Sequence, residues 1–241
     1  MGLMQLHGLL PKFAQAQSGG PAHRLLTCGP VTALISSFPS LKKFENLTSD
    51  EVAAWAMHHH AVLLAYCANT PVLPMAVGAV FSSDAAIKRE VMAEIDKHCQ
   101  SLRALAQVKE YTVQLTLTEP PPITASEPKG GRAFLQARRH QRDTRQQLHV
   151  SQRRMAHDIL ERLKTDALQV TSAGNAKPDK LLNCAILVDI ERVTNLQRMA
   201  RTLDGPAKEN GLDLVVAGPW PPYSFNPDAA TTQEVHDATG A

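Results

Sequence analysis

Residues Glu119–Gly131 read EPPPITASEPKGG, with Pro120, Pro121 and Pro122 in succession and Gly130-Gly131 at the end. Proline fixes φ and lacks an amide proton, so neither a helix nor an interior strand passes through such a run. The 241-residue chain is therefore expected to form an N-terminal domain over 1–118, a linker over 119–131 and a C-terminal domain over 132–225. Each part is long enough to enclose a core.

In the first part, Met4–Leu10 reads as an apolar strand. Lys12–Pro21 is a loop. Leu25–Thr27 and Val31–Ser36 are strands separated by Gly29-Pro30, a tight-turn pair. Thr48-Ser49-Asp50-Glu51 has the spacing of a capping box, and Val52, Trp55, Ala56, Val62, Leu63 and Tyr66 follow at helical period. That helix is expected to end near Asn69, ahead of Pro71. Pro71–Phe81 reads as one buried strand bent at Gly78. Ser82 or Ser83 caps a second helix whose inner face is Ile87, Val91, Ile95, Leu102 and Leu105. Glu110–Leu117 alternates, with Tyr111, Val113, Leu115 and Leu117 inward, as a half-buried strand does. The order predicts an α+β, ferredoxin-like sheet with helices on one face.

The second part opens with a long polar helix from Arg132 to about Lys164, its sparse apolar residues Phe134, Leu148, Met155, Ile159 and Leu163 at heptad-like steps. Leu168–Thr171 is a weak strand. Leu181–Ile190, LLNCAILVDI, is almost continuously apolar, the pattern of a central strand. A helix with Val193, Leu196, Met199, Ala200 and Leu203 inward is broken or kinked at Asp204-Gly205-Pro206. Leu212–Gly218 is the last strand. This predicts a smaller C-terminal α+β domain. Residues 226–241 lack an apolar stripe and read as a disordered tail.

The formal net charge is only +2, so no global field draws the chain to nucleic acid or membrane. The longest apolar run, Ala61–Tyr66, is too short to span a bilayer, and the start lacks the basic region of a signal peptide. Cys28, Cys67, Cys99 and Cys184 form no paired motif and read as buried or free thiols of a reducing, cytoplasmic compartment. His58, His59 and His60 point about 100° apart on a helix, so they do not close one metal site. Asp189 and Glu191 suit a strand-to-helix junction better than a catalytic pair. No nucleophile elbow, phosphate loop or metalloprotease motif is present. The expectation is a protein with no catalytic, metal or cofactor-binding residues. The long helix carries Arg138, Arg142 and Arg145 within a basic stripe. Such a stripe can track phosphates, but no aromatics are interleaved for stacking bases, so a solvated face, or one that docks on an acidic protein partner, is preferred to nucleic acid. Nucleic-acid binding by the helix over 132–164 is the alternative.

The most distinctive stretch is Gly218–Phe225, GPWPPYSF, which follows the apolar LDLVVA. Pro219, Pro221 and Pro222 stiffen the backbone, so little entropy remains to lose when Trp220, Tyr223 and Phe225 are placed. The rings either close the end of the second core or form a preorganised docking surface with Pro221 and Pro222.

GLDLVVAGPWPPYSF, Gly211–Phe225, closely resembles the C-terminal signature of the gas vesicle GvpF/GvpL family. LLNCAILVDIERVTNLQRMARTL resembles the strand and helix that precede it there. His58–Ile87 is similar to the family's helix followed by a V-L-P strand, and VKEYTVQL to the strand closing its first domain. The resemblance covers most of residues 22–225. Where the family carries Arg-Phe before a glycine, this chain has Ala76-Val77 before Gly78. The resemblance implies two α+β domains, the first ferredoxin-like, and no enzymatic activity. It implies an accessory or minor structural protein that helps to assemble the gas-filled, protein-walled flotation organelle. Its partners would be the hydrophobic shell protein and other gas vesicle accessory proteins, and its location the cytoplasm and the vesicle.

Overall fold

The computed structural model describes residues 3–15, 21–38, 47–118, 131–173 and 179–225. The expected linker residues 119–130 and the tail 226–241 lie outside them. The chain divides into two units. One holds the described residues up to Glu110 and those from Pro219 onward, and the other is Tyr111–Gly218. The division falls between Glu110 and Tyr111, and Pro219–Phe225 go with the first unit.

In the first unit β1 (Leu3–Pro11) pairs antiparallel with β3 (Val31–Phe38), and β3 pairs with β2 (Arg24–Cys28). Cys28 faces Val31 across the Gly29-Pro30 turn, where Gly29 adopts φ 59°. A two-residue hairpin turn demands that positive φ, and glycine meets it without strain. Pro71–Phe81 is not one strand. It touches β1 twice, as β4 (Leu73–Pro74) against Gly8 and Leu9 and as β5 (Val80–Phe81) against Met4 and Gln5. Pro74 has no amide proton to continue the ladder, and the residues between arch away before Leu6 donates to the Ala79 carbonyl at 2.8 Å.

Helix α1 (Ser49–Cys67) begins at the expected capping box. The Glu51 amide donates to Thr48 Oγ1 at 3.3 Å, and the Thr48 amide donates to Glu51 Oε2 at 3.0 Å. Ser83 caps α2 (Asp84–Ala93), accepting from the Ala86 amide. The single helix expected here is two, because Glu94 leaves helical geometry before α3 (Ile95–Ala104). Nothing local in the sequence marks that break.

Helices cover both faces of the first sheet, not one. Leu6, Leu9, Ala33 and Ile35 pack with Ile87 and Val91 of α2 and Leu102 of α3. Leu10 and Leu34 pack with Val62, Leu63 and Tyr66 of α1. The adjacent apolar pairs Leu9-Leu10 and Leu34-Ile35 require this. Neighbouring strand residues point to opposite faces, so each pair needs a cover on both sides. A bulge in β1, where the register slips between Leu6 and Gly8, restarts the alternation so that Leu6 and Leu9 share a core.

The second sheet has the order β7-β8-β6-β9, from β6 (Val108–Leu117), β7 (Gln169–Ser172), β8 (Lys180–Asp189) and β9 (Leu212–Trp220). Strand β6 was expected to close the first sheet. It stands instead in the second, where Tyr111, Val113 and Leu115 join the core made by Ile159, Leu163, Ile186 and Val188. The order β-β-β-α-β-β-α-α of the first unit accordingly departs from that of a ferredoxin-like unit. The fold class is α+β, with β8 in the interior of its sheet as its unbroken apolar run demands.

Two helices cover this sheet, α4 (Gly131–Asp166) and α5 (Val193–Glu209). A break or kink was expected at Asp204-Gly205-Pro206; helix α5 is not broken there and runs on through Pro206. The residue before a proline is restricted partly by its own Cβ, and Gly205 has none. Strand β9 likewise continues through Pro219, because β9 is an edge of the sheet and an edge tolerates a missing donor.

Candidate functional site

The C-terminal octet closes the first unit's core rather than the second's. Pro221 and Pro222 are buried, and Tyr223 packs against the cluster of Leu10, Leu34, Val62, Leu63, Tyr66, Cys67 and Val72. A tight turn, with the Tyr223 amide donating to the Pro221 carbonyl at 2.7 Å, sets the ring inward. The His60 ring lies 5.7 Å from that of Trp220 and 5.9 Å from that of Tyr223, centroid to centroid. His60 Nδ1 and the Tyr223 hydroxyl are 3.3 Å apart. Trp220 and Phe225 are half-buried.

Polar contacts fasten both ends of the octet. At its start Cys67 Sγ donates to the Pro219 carbonyl at 3.3 Å. Near its end the Ser224 amide and hydroxyl donate to the two carboxyl oxygens of Glu110, at 3.1 and 2.9 Å. Lys109 donates to the Cys67 carbonyl at 2.6 Å, placing a cation at the negative end of α1. Burial dominates the electrostatics here. It pushes the Glu110 carboxyl up to about 7 although both Ser224 hydrogen bonds oppose it. It also raises the Tyr223 phenol and the Cys67 thiol and lowers the Lys109 ammonium. The cavity beside Trp220 and Pro222 is about 10 Å³, barely room for one water. This titratable cluster therefore serves to hold a segment in place. Sequence reasoning missed His60, Cys67, Lys109 and Glu110 because their partners lie far along the chain.

The three consecutive histidines diverge as a helix requires. His60 meets the octet. His59 turns into the core, with its Nδ1 3.1 Å from His7 Nδ1 and 3.2 Å from Gln5 Nε2. The ring of His58 lies 5.5 Å from that of His7. His7 Nε2 is 2.8 Å from Ser36 Oγ, Gln5 Nε2 donates to the Val77 carbonyl at 3.0 Å, and Trp55 Nε1 donates to Gln5 Oε1. With His59 Nδ1 as the acceptor, its one lone pair is shared between Gln5 Nε2–H and His7 Nδ1–H, and Ser36 donates to His7 Nε2. His59 Nε2 then stays buried without a partner. Burial and neighbouring imidazoles lower His7 to about 3 and His59 to about 4. Among the described residues no group of three or more His, Cys, Asp or Glu side chains is placed to hold a metal ion.

Arg138, Arg142 and Arg145 are exposed on α4. They belong to the second unit, whereas the aromatic octet residues belong to the first. Asp189 accepts from the Glu191 amide at 3.0 Å and so caps the short 3-10 turn Ile190–Arg192. No helix among the described residues is long and apolar enough to cross a membrane.

The family model described as "Gas vesicle synthesis protein GvpL/GvpF" matches residues 9–227. Gas vesicle protein L of a Streptomyces species is 28% identical over 260 residues, covering 97% of this chain and 93% of that one. Gas vesicle protein L2 of Halobacterium salinarum is 23% identical over 236 residues, covering 87% and 83%. Among solved structures, GvpF from an Anabaena species aligns with a TM-score of 0.67 at 16% identity, covering 94% of this chain and 96% of that one. GvpF from Microcystis aeruginosa aligns with a TM-score of 0.61 at 15% identity, covering 93% and 98%. At these identities the structural likeness establishes the shared α+β fold.

Proposed function

The chain belongs to the gas vesicle synthesis protein family GvpL/GvpF, and from that premise we propose that it works in gas vesicle assembly by binding other gas vesicle proteins, the shell protein among them, without covalent chemistry. The observation that carries the reading is the extent of the family match, which runs from residue 9 to residue 227 through both units and the whole octet. Shell subunits expose apolar surface before they assemble, so an accessory protein that engages them is physically reasonable. The polar groups gathered at the octet are engaged in holding it down, which fits a binding protein better than an enzyme. On this reading the protein acts in the cytoplasm and at the vesicle. Arg138, Arg142 and Arg145 contact the partner. Trp220, Pro221, Pro222, Tyr223 and Phe225 contribute mainly by fixing the first unit's surface.

The test is co-expression of the tagged protein with the gas vesicle shell protein, followed by purification and thermal melting. Wild type retains the shell protein. Trp220→Ala lowers the melting temperature, by about 2–4 kcal/mol of stability for a half-buried indole, and retains the shell protein at temperatures where it is still folded. If wild type retains neither the shell protein nor any co-expressed gas vesicle accessory protein, the reading fails.

A further inference from the structure

Helix α4 carries one continuous seam with the alternating four- and three-residue steps of a coiled-coil strip. From the C-terminal end it runs Leu163, Ile159, Ala156, Gln152. From the N-terminal end it runs Arg138, Arg142, Arg145, His149. The two halves lie on the same side of the helix but differ in chemistry. Leu163 and Ile159 are 1% exposed and Ala156 9%, all within the second unit's core. Gln152 is 4% exposed, and its Nε2 donates to the Asn210 carbonyl at 2.8 Å. Beyond it the seam continues as basic side chains, and Arg142, Arg145 and His149 are exposed. Leu135, three residues before Arg138, continues the seam and is 62% exposed.

Between Arg138 and His149 only Gln141 and Leu148 are as much as half-buried, and a helical stretch with so little burial is marginal by itself, so its stability comes from packing supplied elsewhere. We propose that the Arg138–His149 half of this seam docks an acidic helix of a partner protein, glutamate or aspartate side chains meeting the arginines and an apolar one meeting Leu135. The charge selects this occupant. Residues 131–154 hold seven arginines against one acid, Asp143. A parallel second copy would set arginine against arginine along the whole strip, where interhelical pairing requires opposite charge. A phosphate backbone is the other polyanion such a row could meet, but exposed Leu135 would then stay wet, and from Arg138 to His149 the sequence holds no Phe, Tyr or Trp to stack on a base.

The inference rests on the reading of the chain as a binding protein of vesicle assembly and is tested apart from it. The full chain is titrated with a synthetic heptad peptide bearing glutamate at its a and d positions, with the same peptide bearing lysine, and with a mixed-sequence DNA duplex, at low and physiological salt. Wild type binds the glutamate peptide and not the lysine one. Arg142→Glu/Arg145→Glu melts with wild type, weakens binding of the glutamate peptide by at least about tenfold, and binds the lysine peptide instead. Equal binding of both peptides overturns the proposal, as does no binding of either. Tighter binding to the duplex with a steep salt slope also overturns it and assigns the helix to nucleic acid. If the shell protein still co-purifies with wild type while the glutamate peptide is ignored, this inference falls and the assembly function stands.

Discussion

Ser224 gives both its amide and its hydroxyl to Glu110, a residue 114 positions earlier in the chain that is 4% exposed. The proline-stiffened octet is thereby pinned to the first unit at the point where β6 begins. A short stiff segment loses little entropy on docking, so two hydrogen bonds to one carboxyl suffice to fix its end.

This pair makes part of the stability depend on pH. Burial holds the Glu110 carboxyl at about 7, against 4.5 for a free glutamate. A folded-state value above the unfolded one means that the folded chain keeps its proton more tightly. The contribution is fully present below pH 4.5 and is lost as pH rises through 7. In Glu110→Gln the side chain keeps its shape and can still bond Ser224 but no longer titrates. Urea unfolding at pH 5 and at pH 8 should show wild type losing roughly 1–3 kcal/mol relative to Glu110→Gln at the higher pH. Parallel loss in both proteins would show that the carboxyl is already ionised when folded.

Local features were readable from the sequence and long-range ones were not. The Thr48-Glu51 capping box, the alternation of β6, the central position of β8 and the length of α4 are encoded within a few turns of chain, and the structure contains each of them. The stiffness of Gly218–Phe225 was equally plain, but its seat was not. His60 meets Tyr223 across 163 residues and Glu110 meets Ser224 across 114, and no local pattern encodes such pairs. The same limit hid which sheet takes β6. Its alternation specifies one buried face but not the partner for that face. The split of Pro71–Phe81 into β4 and β5 was within reach, since Pro74 forbids a continuous ladder.

The buried histidines create the opposite pH dependence. His7 and His59 sit at about 3 and about 4 when folded, against 6.5 when exposed. A lowered histidine value means that the unfolded chain binds the protons first. Their contribution is whole above pH 6.5 and declines as pH falls toward 4. At pH 5 the loss is roughly 2 kcal/mol per histidine, and α1, which carries His59, should loosen from β1, which carries His7. In a His7→Gln/His59→Gln variant the fall in urea midpoint between pH 7 and pH 5 should shrink to less than half that of wild type. An unchanged fall would place the acid sensitivity elsewhere.

Gly8 is required by packing rather than by backbone conformation. A Cβ there would lie 2.7 Å from Leu63 Cδ2 and 2.8 Å from the Leu73 carbonyl oxygen. The leucine methyl can rotate away, but the carbonyl belongs to β4, whose pairing with Gly8 and Leu9 fixes it. Relief requires β1 and β4 to separate, and overpacking of this kind costs about 1–3 kcal/mol. At Gly78 an added Cβ meets nothing within 4 Å, so Gly78→Ala should be neutral or slightly stabilising through the unfolded chain. Thermal melts of Gly8→Ala and Gly78→Ala should therefore diverge, the first several degrees below wild type and the second level with it or above. If the two coincide, β4 yields freely, and the close approach of α1, β1 and β4 does not limit stability.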